Sequence, residues 1–138
     1  MRGAPEAFAN FKPGPTSQTP LQIVAHMGDL FDWGYTMIYG NPQWNSAVPQ
    51  TWDKECARFF AALKKFDEAL AKADKISYEL TILFQGPIAD ALTHTGQLAM
   101  LRRLSGFPMK GESYARADIM IGRVGAEQTP ANPKYEFD

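Results

Sequence analysis

Apolar residues recur at helical spacing over most of the chain. From Pro20 to about Tyr39 the residues Ile23, Met27, Leu30, Phe31, Gly34 and Ile38 repeat at intervals of three and four, which predicts a helix with one inward face. Thr19 precedes it as an N-cap, Pro20 suits the first helical position, and Gly40-Asn41-Pro42 ends it. Residues 40–50, rich in Pro, Asn and Trp, are predicted to be a loop. Thr51 opens and caps the next helix, whose inner stripe is Phe59, Phe60, Leu63, Phe66 and Leu70. The Lys and Glu residues from 64 to 72 mark its outer face, and Ala73 and Asp74 close it.

The remaining segments give weaker patterns. Residues 4–11 predict a short helix stopped by Pro13-Gly14-Pro15, with a loop from Lys12 to Gln18. Ser77 through Phe84 reads as a short helical turn, although Ile76-Ser77-Tyr78 is compatible with extended chain. Gly86-Pro87 is a second start signal, for a helix from Pro87 to Ser105 stopped by Gly106 and Pro108. Glu112 to Arg123 predicts a further helix, loosened by Gly122, and Thr129 to Asp138 an extended tail. There is no internal repeat. Long amphipathic helices with little strand signal predict a single all-α domain over residues 1–138, a small helical bundle.

Composition and charge exclude several function classes. Fourteen Lys and Arg stand against fifteen Asp and Glu, so the formal charge is −1 and no basic surface for nucleic acid is expected. The basic pairs Lys64-Lys65 and Arg102-Arg103 read as solvated helix faces. No apolar run approaches the ~20 residues that span a bilayer. The N-terminus lacks the apolar core of a secretory signal. Cys56 is the single cysteine, so no internal disulfide is possible and a cytoplasmic location is the expectation. Cys56 itself reads as a half-buried small hydrophobe, not as a nucleophile.

The chemistry concentrates on the two histidines, His26 and His94. His26 shares its helix face with Gln22, Asp29, Leu30 and Trp33, and His94 with Asp90, Gln97, Leu98 and Leu101. Asp90 and His94, four residues apart, lie on one face with Cβ atoms about 5–6 Å apart. Two readings stand. Each histidine is satisfied by a neighbouring carboxylate, Asp29 for His26 and Asp90 for His94, or His26, Asp90 and His94 together hold a divalent metal. Two separate buried pairs would each cost desolvation unless they met or bound something.

The segment Thr19-Pro-Leu-Gln-Ile-Val-Ala-His26 through Trp33 resembles the second helix of the DinB superfamily, which includes the YfiT-like proteins regarded as metal-dependent hydrolases. The stretch Asp90-Ala-Leu-Thr-His94-Thr-Gly-Gln97, with Arg102 and Arg103 beyond it, resembles that family's His-x-x-x-His-x-Gly-Gln pattern still more closely. A looser likeness covers most of the chain, including Gly111 to Asp118. The resemblance implies a four-helix bundle of DinB/YfiT type with an additional C-terminal helix, often paired as a homodimer. It implies a zinc or nickel ion held at positions that fall here on His26, Asp90 and His94. The family's first helix is long; here it is a stub of about two turns, so either that helix is short or the true start lies upstream.

Asp90 stands where the family has histidine. A carboxylate keeps three protein ligands and an open position, and it widens the metal choice to iron and manganese. It also cancels one of the metal's charges, so water bound there should be less acidic than in a site of three imidazoles. Asp29 is expected to orient His26, with fourth ligand and general base as its other roles, and Gln97 is a candidate donor around the ligands or, equally, a helix-packing residue. Trp33 and Phe31 read as core, Arg102 and Arg103 as surface or dimer contacts, and Arg116 and Arg123 as candidates for an anionic substrate. By the resemblance the function is that of a metal-dependent hydrolase or of a transferase using a low-molecular-weight thiol. The alternative is a non-catalytic or metal-free structural bundle related to stress.

Overall fold

A computed structural model describes residues 1–138. Helix α1 spans Pro20–Ile38 and α2 Trp52–Lys72; the one-turn α3, Leu80–Leu83, runs through a π turn at Phe84–Ile88 into α4, Ala89–Leu104. The chain is therefore mostly helical, as the periodicity predicts. No helix is long and apolar enough to cross a membrane.

Local chemistry explains the ends of α1. The Gln22 amide donates to Thr19 Oγ1 at 3.2 Å and the Thr19 amide to Gln22 Oε1 at 2.9 Å, a reciprocal cap that satisfies two otherwise orphaned donors. At the far end Gly40 takes φ +75°, and the Ser77 amide donates to the carbonyl of Ile38 at 2.9 Å. The expected Thr51 cap on α2 does not form. Glu55, one turn into the helix, reaches back past the cap and accepts from the Gln50 amide at 3.0 Å.

The core lies between α1 and α2. Trp52, Phe59, Ala62, Phe66 and Ala69 are the buried apolar positions of α2, with Glu55 among them, whereas the expected Phe60, Leu63 and Leu70 are only half-buried. At Gly34 of α1 a Cβ would lie 2.9 Å from the Phe66 ring and 3.1 Å from Pro87, so the helices approach where side chains are least. The N-terminal segment is a 3-10 turn, Glu6–Phe8, in place of the predicted helix over 4–11. Phe8 is fully buried edge-on to Trp52, with ring centroids 5.5 Å apart, and the Ala9 carbonyl accepts from Leu21.

Gly86-Pro87 does not start a helix, because the helix has already begun at Leu80. Pro87 has no N–H for the ordinary helical bond, and a wider turn, in which Ala89 donates to the carbonyl of Phe84, carries the chain past it. Beyond this turn α4 runs antiparallel to α1. Trp33 of α1 meets Gly86, and His26, two turns earlier, faces Asp90 and the more distant His94.

The predicted helix over Glu112–Arg123, and with it the additional C-terminal helix, is absent. In its place β1, Gly111–Glu112, pairs antiparallel with β2, Glu136–Phe137, in the register Gly111 to Phe137 and Glu112 to Glu136. The intervening chain is turns and bends, with a 3-10 turn at Pro133–Tyr135 inside the expected extended tail. The physical reason lies in the spacing. Ile119, Met120 and Ile121 are consecutive, so they form no helical face, and Gly122 and Gly125 take φ of +75° and +94°.

Candidate metal centre

His26 projects from the middle of α1 toward α4, where Asp90 occupies the first turn and His94 the next. Pro87 and the π turn set the phase of this stretch, so that Pro87 packs on Gly34 while Asp90 and His94 reach His26. Asp90 lies between the two imidazoles. Its Oδ2 is 3.5 Å from His26 Nε2 and its Oδ1 is 3.3 Å from His94 Nε2. The imidazole rings stand edge to face, 4.9 Å between centroids, and one ligand atom from each residue lies within 4.8 Å of the others.

These separations exceed the 2.7–3.2 Å of a hydrogen bond. The two carboxylate-to-imidazole distances, each to its own oxygen of Asp90, are close to the roughly 3.3–3.6 Å between neighbouring ligands of a tetrahedral ion with bonds of about 2.0–2.2 Å, and the three residues as a group lie within 4.8 Å. The donor set of two imidazoles and one carboxylate fits a divalent transition metal. The group is also accessible, with Asp90 42% exposed and His94 12% exposed at the side chain.

Gln97 supports His94. Its Oε1 lies 2.7 Å from His94 Nδ1, and because that oxygen can only accept, the pairing suits the tautomer with the proton on Nδ1 and Nε2, the atom facing Asp90, as the metal-binding nitrogen. Gln97 also lines a cleft of about 290 Å³ with Ile23, Met100, Leu101 and Leu104. At the other end of the site, Trp44 from the 40–50 loop lies 5.6 Å from the His26 ring and 5.5 Å from Trp33. Trp33 is thus half-buried beside the site, while Phe31 is core as expected.

No protein-family model, curated protein or solved structure matches the chain.

Several expected roles change. Asp29 does not orient His26. Its Oδ1 accepts from Arg58 Nη1 at 2.8 Å and its Oδ2 from the Ala47 amide at 3.1 Å, which leaves it engaged with α2 and the loop. Arg58 also donates through Nε to Glu55 Oε2 at 2.8 Å and through Nη2 to the Ala25 carbonyl at 2.5 Å. Burial works against the charge on Arg58, but its hydrogen bonds to Glu55 and Asp29, with the charges of both, outweigh it and hold its pKa above the usual value. Arg58 and Glu55 are no part of the sequence pattern around the histidines, yet a signal exists: Glu55 falls on the apolar stripe of α2, with a cation three residues on.

Arg102 is buried, not solvated. It donates to the carbonyls of Phe107 at 2.8 Å and Arg2 at 2.9 Å, tying the end of α4 to the N-terminal segment. Arg123 spends its donors on the carbonyls of Asp118 and Thr129 within the C-terminal segment. Burial, above all, pushes the Cys56 thiol up to about 11, which keeps it protonated and unreactive at neutral pH.

Proposed function

We propose that this chain is a divalent-metal-binding protein of DinB type, with His26, Asp90 and His94 as ligands and a small molecule taken at the open position. The observation that carries this reading is the seat of Asp90, whose two oxygens lie 3.5 and 3.3 Å from two imidazole nitrogens without hydrogen-bonding either. Gln97 supports the reading from the other side of His94, since it holds the tautomer a ligand needs.

Zinc or nickel is the favoured ion, with iron and manganese suited to the same donors. Bound there, the ion supplies Lewis acidity at a position open to solvent. The chain's own part is to hold two imidazoles and one carboxylate in place and to present Trp44 beside them to a ligand. Metal-dependent hydrolysis and transfer using a low-molecular-weight thiol are the two reaction classes that follow. The proposal includes the homodimer, for which Met100 and Leu104, exposed one turn apart on α4, are apolar side chains to cover.

Metal content of the untagged chain, beside His26→Ala and His94→Ala, tests the reading. Stoichiometric metal in the native chain and its loss from both variants is the expected result. Metal-free protein of unchanged stability would overturn it in favour of a structural bundle. After cobalt substitution, small thiols and simple esters separate the two reaction classes; a visible spectrum indifferent to both would leave a non-catalytic metal protein.

A further inference from the structure

Trp44 is the one large apolar side chain between Gly40 and Ala47, in a loop that otherwise carries Asn, Pro, Gln and Ser. An indole on a free polar loop would sample many positions, but this loop is tied down on both sides of Trp44. The Gln43 amide donates to Thr36 Oγ1 at 2.9 Å, the Ala47 amide to Asp29 Oδ2 at 3.1 Å, and the Gln50 amide to Glu55 Oε1 at 3.0 Å. Arg58 in turn clamps both carboxylates at 2.8 Å. The indole nitrogen donates to Ser46 Oγ at 3.0 Å. The tied backbone sets the indole edge-on to His26 and to Trp33, and Trp33 is itself lodged against Gly86, where a Cβ would come within 3.0 Å.

Trp44 remains 45% exposed after making these contacts. It therefore offers a preorganised apolar surface beside one metal-ligand histidine. A divalent ion held by two neutral imidazoles and one carboxylate carries a net positive charge, which favours an anionic ligand head. The neighbouring indole favours a flat apolar body attached to that head.

We infer that Trp44 is a specificity-determining residue, which selects metal-binding ligands whose anionic head is carried on an aromatic body. Asp29 and Glu55, clamped by Arg58, are positioning residues for it. The inference rests on the metal reading of His26, Asp90 and His94.

The experiment compares benzohydroxamate with acetohydroxamate on the cobalt-loaded full chain, read from the cobalt visible spectrum. The native chain is expected to favour the aryl ligand by about tenfold. Trp44→Ala should abolish that preference while cobalt affinity stays within about twofold, and Trp44→Phe should keep most of it. The half-exposed indole contributes little to the core, so neither variant should fail to fold. Asp29→Asn should lower the preference and speed hydrogen exchange at the Ala47 amide, a readout independent of metal. Equal affinity for the two hydroxamates in the native chain, or a preference that survives Trp44→Ala, would overturn the inference and leave the metal site standing. A chain that takes up no cobalt overturns both.

Discussion

Two clusters of charge flank α1. In one, Arg58 stands 2.8 Å from Asp29 and 2.8 Å from Glu55, and each carboxylate accepts one further backbone amide. In the other, Asp90 stands 3.5 and 3.3 Å from two histidines and hydrogen-bonds neither. Glu55 is 1% exposed at the side chain and Asp29 7%, whereas Asp90 is 42% exposed. A buried charge must complete its bonds within the protein, because no water replaces them. A half-exposed group can stay spaced for a third party. The first cluster therefore holds structure, pinning the loop to both helices, while the second is a group that could hold a metal ion.

Breaking the clamp should produce the largest effect. Arg58→Ala strands two buried carboxylates and is expected to destabilise the fold by about 3 kcal/mol in urea titration. His26→Ala in metal-free protein should cost under about 1 kcal/mol by the same titration. Similar costs for the two would erase the distinction drawn between the clusters. The next effect sharpens the ligand cluster alone. Gln97→Leu removes the acceptor that orients His94 and is expected to weaken zinc binding by roughly tenfold, measured by chelator competition, with stability little changed. The smallest concerns Cys56, next to Glu55 yet outside both clusters. Its pKa, raised from 9.0 to about 11, contributes stability that is present below pH 9 and lost as pH rises toward 11. Discounted for a half-open thiol, the loss is on the order of 1 kcal/mol, and it should be missing from the alkaline stability profile of Cys56→Ala.

Much of the helical framework was legible because its causes are local. Thr19, Pro20 and Gln22 act within one turn, and Gly40 and Gly106 stop their helices where positive φ is needed, at +75° and +81°. The pairing of Asp90 with His94 on one face follows from helical spacing alone. Other expectations failed where a distant group intervened. Asp29 has His26 nearby in sequence, but Arg58 on α2 takes it. Thr51 has the chemistry of a cap but its side chain makes no capping bond, and Glu55, itself held by Arg58, ties down the preceding Gln50 amide. Residues 112–123 have helix-forming side chains but no spaced apolar face to bury, so no packing holds a helix there.

By itself the sequence determined α1, α2 and most of α4, and it marked His26, Asp90 and His94 as residues in search of a partner. Only the tertiary structure decided that they are partners to one another. That depends on the antiparallel packing of α4 against α1, on the approach allowed by Gly34 and on the π turn that carries the chain past Pro87. It also decided that Trp44 lies beside His26, through ties to Thr36, Asp29 and Glu55. Local spacing sets which side chains share a face. Which faces meet is set by close packing and by the need of buried charges for partners, and both act between segments far apart in the chain.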